Sequence, residues 1–177
     1  MKLTQKVKQY ALRQGADLVG VAPVSRLADS PRGTGPTDLL DNCKSIVVCG
    51  MRIPFGTMSK LPNVSYLEVG YYGLESELNR LAYRISLYLE DMGYASLPSP
   101  AGRDITTFKV LQEEPEPRIY LAGSFSLRHA AVAACLGGIG KNSCVVTPSL
   151  GSRVRVVAVL TVAELEPDPL ISNPCAP

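Results

Sequence analysis

The segment His129–Leu160 constrains the fold of this chain more than any other part of the sequence. It begins with an alanine-rich helical pattern, breaks at three glycines and a Lys-Asn pair, and then enters a β-rich stretch. Small residues and glycines let a backbone come unusually close to another surface, because no long side chain intervenes. The pattern therefore predicts a place where the backbone lies against a bound cofactor. Hydrogen-bond donors follow the glycines directly: Lys141, Asn142, Ser143 and Ser152.

Length and composition indicate one globular domain. The 177 residues suffice for a single hydrophobic core, and 46% apolar with 19% charged residues is ordinary for a soluble protein. The net charge of +2 comes from scattered basic residues, which form no stripe typical of nucleic-acid binders. The charged N-terminus does not resemble a signal peptide, and the longest apolar run, Val154–Leu165, is too short to cross a bilayer. We expect a cytoplasmic protein that does not enter a membrane.

The five cysteines predict no disulfide framework, because their number is odd and the N-terminus lacks a secretory signal. No C-x-x-C pair is present, which argues against a self-contained zinc or iron–sulfur site. Apolar neighbours around Cys43, Cys49, Cys135 and Cys144 predict buried thiols. Cys175 differs, since it lies in a proline-rich C-terminal stretch.

The longest predicted helix runs from Tyr66 to Met92. Its apolar residues recur every three or four positions, the period of one helix face: Leu67, Tyr71, Leu74, Leu78, Leu81, Ile85, Leu89 and Met92. Gly70 and Gly73 weaken the first turns, so the firm prediction begins at Leu74. This face is expected to pack on a sheet. A homodimer through the same helix is the alternative.

The remaining elements are shorter. The predicted helices cover residues 3–14, 37–42 and a span from Ser124 or Ser126 to Leu136, and the predicted strands are Asp17–Ala22, Ser45–Met51, Tyr94–Leu97, Ser143–Thr147 and Val154–Thr161. Residues 23–36, 98–104 and 113–117 are predicted loops. The order predicts an α+β layered domain over residues 1–165. Residues 166–177, rich in proline, are predicted to form an extended tail.

Two nucleotide-binding motifs do not fit the glycine loop. A P-loop needs a glycine five places before Gly140 and a Ser or Thr after Lys141, and the chain has Cys135 and Asn142 at these positions. A dinucleotide fingerprint needs a strand before the glycines and a helix after them, the reverse of the order here. His129 is the only histidine, and a packed or hydrogen-bonded role is favoured over metal ligation.

Three stretches resemble the corrinoid-binding domain of the epoxyqueuosine reductase and reductive dehalogenase superfamily. They read HAAVAACLGGIGKN, VVTPSLGSRVR and VLTVAELEPD between His129 and Asp168. A looser match covers Asp17–Val24 and Asn42–Pro54. The resemblance implies a nitroreductase-like layered fold, with a mostly antiparallel sheet, packed helices and one long central helix. It also implies a cobalamin whose lower axial base is displaced, a small-molecule substrate, and electrons from two 4Fe–4S clusters in a following or separate module.

The resemblance also names the residues expected to line the cofactor. They are Ser126, His129, Gly137, Gly138, Gly140, Lys141, Asn142, Ser143, Thr147, Gly151, Ser152 and Arg153. Two alternatives stay open. One is a flavin (FMN) in the same fold, with Arg26, Arg32 and Lys141 as candidate partners of its phosphate. The other is a non-catalytic module that carries a cofactor or binds a partner.

The chain departs from the superfamily pattern in three ways. Cys135 replaces the usual glycine before Leu136, and Gly138 stands where a bulky aromatic residue is common. Leu121 occupies the position of the acidic proton donor of epoxyqueuosine reductases, which argues against that specific activity. Cys175 alone cannot hold a 4Fe–4S cluster, which needs four ligands. It is expected to serve as a metal ligand only if an iron–sulfur domain follows residue 177, as in a chain cut at a domain boundary.

Overall fold

The central element of the computed structural model is a four-stranded antiparallel sheet. The structure describes residues 1–60, 62–102, 108–111, 118–121 and 123–170. The strand order is β1 (Leu18–Pro23), β2 (Ser45–Arg52), β8 (Val154–Thr161) and β3 (Ser96–Ser99). Every neighbouring pair is antiparallel, and β2 and β8 pair along their full eight-residue lengths. The predicted α+β class with a mostly antiparallel sheet is therefore confirmed, whereas the likeness to nitroreductases stays a prediction.

Helices and two small hairpins surround this sheet. The helices are α1 (Leu3–Arg13), α2 (Pro36–Leu39), α3 (Phe55–Met58), α4 (Leu74–Glu90) and α5 (Leu127–Ala133), with a 3-10 turn at Val24–Leu27 and a π-helix at Tyr66–Gly73. The hairpins are β4 (Phe108–Leu111) with β5 (Arg118–Leu121), and β6 (Gly138–Ile139) with β7 (Val145–Val146). Within the described ranges, no helix is long and apolar enough to cross a membrane.

Both faces of the sheet are buried, because helices pack against each of them. Successive side chains of a strand point to opposite faces, so neighbouring residues belong to different clusters. On β2, Val47 and Cys49 belong to the cluster shared with α1 and α4, whereas Ile46 and Val48 belong to the cluster shared with α5. β8 alternates in the same way between the two clusters. The result is three layers, with α1 and α4 on one side and α5 on the other. This explains why β2 reads as an uninterrupted apolar run.

The long helix confirms the predicted apolar face from Leu74 onward. Leu78, Leu81, Ile85 and Leu89 are almost completely buried against the sheet. The first predicted member of the face, Leu67, is 46% exposed, so that part of the prediction is wrong. The reason is the π-helix, whose wider turn shifts residues off the 3.6-residue period.

Several boundaries differ from the predicted ones for local reasons. α5 ends at Ala133 rather than Leu136, because Cys135 adopts the left-handed conformation with a φ of 61°. β3 begins two residues late, because the amide of Tyr94 still donates to the carbonyl of Leu89 at the end of α4. The hairpin of β4 and β5 was not predicted. The predicted connector 113–117 lies outside the described residues.

The described part of the C-terminal stretch contains no helix or strand, but it is anchored to the domain. Leu165 is 3% exposed. The backbone amide of Asp168 donates to the carbonyl of Val21, and the Asp168 carboxylate accepts a hydrogen bond from the Val21 amide at 2.8 Å. Lys8 donates to the same carboxylate at 2.6 Å. The stretch thus covers the outer edge of β1, which would otherwise expose unpaired backbone groups.

The close approach of α5 to β1 gives a first prediction. A Cβ at Gly20 would lie 2.1 Å from the carbonyl oxygen of Ala134, a backbone atom that cannot move without shifting the end of α5. We expect Gly20→Ala to lower the free energy of unfolding by about 2–3 kcal/mol. The matched control is Gly56→Ala, which meets no atom within 4 Å and should leave stability unchanged or raised by up to about 1 kcal/mol. Urea unfolding of both variants measures the difference; equal stability would contradict the packing.

The cysteines give a second prediction. Burial raises the pKa of the Cys49 thiol to about 12, and it also raises the pKa of Cys43. Because the thiolate is the reactive form, both should resist iodoacetamide at pH 8, while the exposed Cys144 is alkylated. Peptide mass spectrometry after a short reaction reads each site, and full labelling in denaturant is the control. Equal labelling of Cys49 and Cys144 in the folded protein would contradict the burial of Cys49 in the cluster that β2 shares with α1 and α4.

Candidate functional site

The alanine-rich helix α5 packs on the chain's own sheet. Ala130, Ala131 and Ala134 are at most 1% exposed, and they share a cluster with β2 and β8. At Gly20 the backbone of β1 comes so close to Ala134 that no side chain would fit between them. The small residues of this helix were predicted to allow close approach to a cofactor. For α5 that interpretation is wrong, because the flat surface it approaches is the sheet.

Arg26 stabilises the end of α5 and the turn at Cys135 that follows it. Its guanidinium donates to the carbonyl of Ala133 at 2.7 Å and to the Cys135 thiol at 3.4 Å. A third hydrogen bond, at 2.8 Å, goes to the carbonyl of Asp168. A cation at a helix C-terminus stabilises carbonyls that have no partner within the helix. Cys135 is therefore only half-buried and contacts a charged group, which differs from the predicted packed thiol.

The glycines after α5 serve the β6–β7 hairpin. A Cβ at Gly137 would lie 2.2 Å from the carbonyl oxygen of Val146, and Gly138 is buried opposite Val146 in the hairpin. A Cβ at Gly140 would meet Asn142 Oδ1 and the Val146 side chain, both at 3.1 Å. Contacts within the hairpin thus require residues without a side chain at Gly137 and Gly140. The predicted role of these glycines in approaching a ligand is not needed to explain them.

The tip of this hairpin presents the predicted donors to solvent. Lys141, Asn142 and Ser143 are exposed, and within the described residues the Lys141 ammonium and the Ser143 hydroxyl have no partner. Asn142 Oδ1 accepts from the Cys144 amide at 3.1 Å, which leaves its NH₂ group free. Arg128 of α5 donates to the Ser143 carbonyl at 2.9 Å and ties the tip to the helix.

The exposed thiol of Cys144 lies at the same tip, so its predicted burial is wrong. Its apolar neighbours Val145 and Val146 belong to β7, whereas Cys144 itself precedes that strand. Sequence analysis missed this cysteine and Arg128 as groups of the candidate site. The Lys-Asn turn that comes directly before Cys144 was the available signal.

The second turn comprises residues 147–152 and begins where β7 ends. Thr147 is buried, and its hydroxyl donates to the Gly151 carbonyl at 3.2 Å and accepts from the Leu150 amide at 3.1 Å. Gly151 has a φ of 60° and open space beside its Cα. Ser152 is exposed and has no side-chain partner among the described residues. This turn therefore offers Gly151 and Ser152 to a ligand, while Thr147 holds the turn together.

Arg153 connects the second turn to the end of β2. Its guanidinium donates to the Ile53 carbonyl at 2.9 Å and lies over the Phe55 ring, 5.7 Å from the ring centroid. Phe55 itself is 71% exposed. Arg153, which was predicted to line the cofactor, thus anchors the turn. The exposed ring of Phe55 lies against its guanidinium at the edge of the site. No sequence signal marked Phe55.

Ser126 and His129 lie in a separate pocket of about 150 Å³. The Ser126 hydroxyl and His129 Nδ1 are 2.7 Å apart, and Arg26 also lines this pocket. The predicted site residues are therefore distributed over the hairpin tip, the second turn and the pocket. Cys175 lies outside the described residues. Within the part of the chain that the structure describes, no three His, Cys, Asp or Glu side chains are grouped to hold a metal ion.

Comparison with known proteins finds similarity in structure alone. No protein-family model matches the sequence, and no curated protein matches it. An epoxyqueuosine reductase with an epoxyqueuosine-modified tRNA-Tyr stem loop matches with a TM-score of 0.64 and 19% identity, covering 98% of this chain and 48% of that one. The epoxyqueuosine reductase from Streptococcus thermophilus matches with a TM-score of 0.61 and 18% identity, covering 97% of this chain and 49% of that one.

A reductive dehalogenase, whose structure suggests a mechanism for B12-dependent dehalogenation, matches with a TM-score of 0.65 and 16% identity. The match covers 96% of this chain and 20% of the dehalogenase. The chain thus spans about half the length of the epoxyqueuosine reductases and a fifth of the dehalogenase. The resemblance predicted from the glycine-loop motifs is confirmed at the level of the fold: this chain has the fold shared by epoxyqueuosine reductases and reductive dehalogenases.

Proposed function

We propose that this chain is a corrinoid-binding domain of a cobalamin-dependent reductase. The observation that carries the proposal is the pair of turns on either side of β7, whose exposed donors have no partner in the described residues. These turns coincide with the GGIGKN and TPSLGSR motifs through which the sequence resembles the superfamily. The shared fold supports the proposal.

The chemistry of the donors fits a corrinoid. The rim of a corrin carries amide side chains, which pair with ammonium, amide and hydroxyl groups such as those of Lys141, Asn142, Ser143 and Ser152. The two turns flank β7, which is only two residues long, so we propose that they hold two parts of one large flat ligand. The fit rests on these donors, since Gly137 and Gly140 face their own hairpin.

When bound, cobalamin would supply a reduced cobalt centre that gives electrons to a small electrophilic substrate. The residues of the chain bind and orient the group. Lys141 and Asn142 would hold its amide side chains at the hairpin tip, and Arg128 keeps that tip fixed against α5. Arg153 keeps the second turn against Ile53, so that Ser152 stays at the rim. Electrons would come from an iron–sulfur module, which Cys175 would help to hold if such a domain follows.

We propose that the substrate differs from the epoxyqueuosine of tRNA. Leu121, the last residue of β5, occupies the sequence position of the acidic proton donor of epoxyqueuosine reductases. The Bacillus subtilis epoxyqueuosine reductase is described with a catalytic aspartate loop swung out of its active site. A leucine cannot donate a proton, so the proton for this chain's reaction would come from another group.

The flavin alternative finds no support. Arg26, one of its three candidate phosphate partners, already donates to the carbonyls of Ala133 and Asp168 and to the Cys135 thiol, and Lys141 lies at the hairpin tip. A non-catalytic cofactor carrier remains the second candidate, because it would use the same donors without the proton donor. Cobalamin binding without turnover would identify that role.

An anaerobic spectral titration with cob(II)alamin tests the proposal. We expect saturable binding with a spectrum typical of displaced axial base, and no saturable binding of flavin mononucleotide. The triple variant Lys141→Ala/Ser143→Ala/Ser152→Ala should raise the Kd for cobalamin at least tenfold, since each lost hydrogen bond contributes about 0.5–1.5 kcal/mol. Because these three side chains are exposed and have no partner within the described residues, the melting transition should not change.

The matched control is Lys6→Ala, which removes an exposed positive charge without a side-chain partner in the described residues, on α1. It should bind cobalamin as the parent chain does. Equal affinity of the triple variant and the parent would reject the two turns as the corrinoid site. Saturable flavin binding with no response to cobalamin would reject the corrinoid itself.

A further inference from the structure

The segment that contains α3 and the π-helix presents large apolar residues to solvent. Five side chains between residues 55 and 72 are from 46% to 74% exposed, and we call them the apolar patch: Phe55, Val64, Leu67, Val69 and Tyr72. Single exposed apolar residues are ordinary on a protein surface. A concentration of them in one short segment marks a surface that binds another molecule.

The π-helix turns its apolar residues outward because its other side is already packed. Its hydrogen bonds join residue i to residue i+5, so Leu67 and Tyr72 lie one turn apart on the same side. On the other side Gly70 is buried against α3. Tyr71 lies against the Arg155 guanidinium, 3.9 Å from the ring centroid. The apolar side is therefore left without a partner among the described residues.

The area of the patch fits an interface between two copies of this chain. Given that an aromatic side chain can bury about 150–250 Å², the five exposed residues present on the order of 500 Å². Two such patches together bury on the order of 1,000 Å², about the size that a specific protein interface needs. That size is reached only when the partner offers an apolar patch of the same extent, and a second copy does so.

The charges beside the patch complement each other across a two-fold axis. Lys60 and Glu68 are the only charged residues between Ile53 and Tyr72, and both are exposed. Neither side chain forms an ion pair within the described residues. Val64 lies midway between them along the chain. In a two-fold interface, contacts between two different residues occur twice, so an axis near Val64 would pair each lysine with the glutamate of the other copy.

We propose that this chain forms a two-fold symmetric homodimer through the apolar patch. Val64 lies near the axis, and Lys60 of each protomer pairs with Glu68 of its partner. The apolar face of α4, from which the sequence indicated a homodimer, is buried against the sheet and is not available. The proposal does not depend on corrinoid binding, because the patch contains none of the donors of the two turns that flank β7.

Sedimentation velocity of the chain without cobalamin, over a wide range of micromolar concentrations, tests the proposal. We expect a reversible equilibrium between monomer and dimer with no larger species, because a two-fold interface is closed. Glu68→Lys should raise the Kd of the dimer at least tenfold, since symmetry turns two attractive contacts into two repulsive ones. The exchange variant Lys60→Glu/Glu68→Lys should restore the Kd of the parent chain, because it re-creates both opposite-charge contacts.

A pair of leucine variants separates the patch from other exposed apolar residues. Leu67 in the patch is 46% exposed, and Leu87 near the end of α4 is 41% exposed. We expect Leu67→Gln to raise the Kd of the dimer at least tenfold and Leu87→Gln to leave it unchanged. Both variants should melt like the parent chain, because neither leucine is buried.

Four results would overturn the proposal. They are a monomer at every concentration, association that continues beyond the dimer, an exchange variant that dimerises as weakly as Glu68→Lys, and a Leu87→Gln variant weakened as much as Leu67→Gln. Each of them leaves the cobalamin titration unaffected, so failure of the dimer and failure of the corrinoid proposal can be told apart.

Discussion

The contact between α5 and β1 is the interaction on which the position of the candidate site depends. The carbonyl of Ala134 faces the backbone of Gly20 at a distance that leaves no room for a methyl group. Because the helix lies so close to the sheet, its end, the turn at Cys135 and the β6–β7 hairpin all follow at defined places over the second face. A larger residue at position 20 would move these elements together.

Arg26 extends this arrangement to the C-terminal stretch. It donates to the end of α5 and to the carbonyl of Asp168, while the Asp168 carboxylate binds β1 and Lys8. One guanidinium thus fixes the end of α5 and the C-terminal stretch beside β1 relative to each other. Its charge is compensated by carbonyl dipoles rather than by a carboxylate.

The candidate cofactor site differs from its sequence prediction in an instructive way. Small residues and glycines indicated that a backbone approaches something closely, and the structure confirms close approach. At Gly137 the approached surface is the carbonyl of Val146, and at Ala134 it is β1. The donors Lys141, Asn142 and Ser143 were predicted from their type alone and are exposed. They are the stronger argument for a ligand, because nothing in the described part of the chain uses their free groups.

Local sequence patterns were sufficient to predict the elements whose buried residues recur at a regular spacing. β2 and β8 were recognised because both of their faces are buried, and α4 was recognised because its buried residues follow the helical period. The π-helix, the exposed Cys144, the anchoring of Arg153 and the pocket around His129 depend on residues far apart in sequence, and no local pattern records such contacts. Sequence therefore decided which chemical groups this protein carries and where the two long central strands, β2 and β8, run. Tertiary packing decided which of those groups bond to other parts of the chain and which remain free to bind a ligand, because these bonds join residues far apart in sequence.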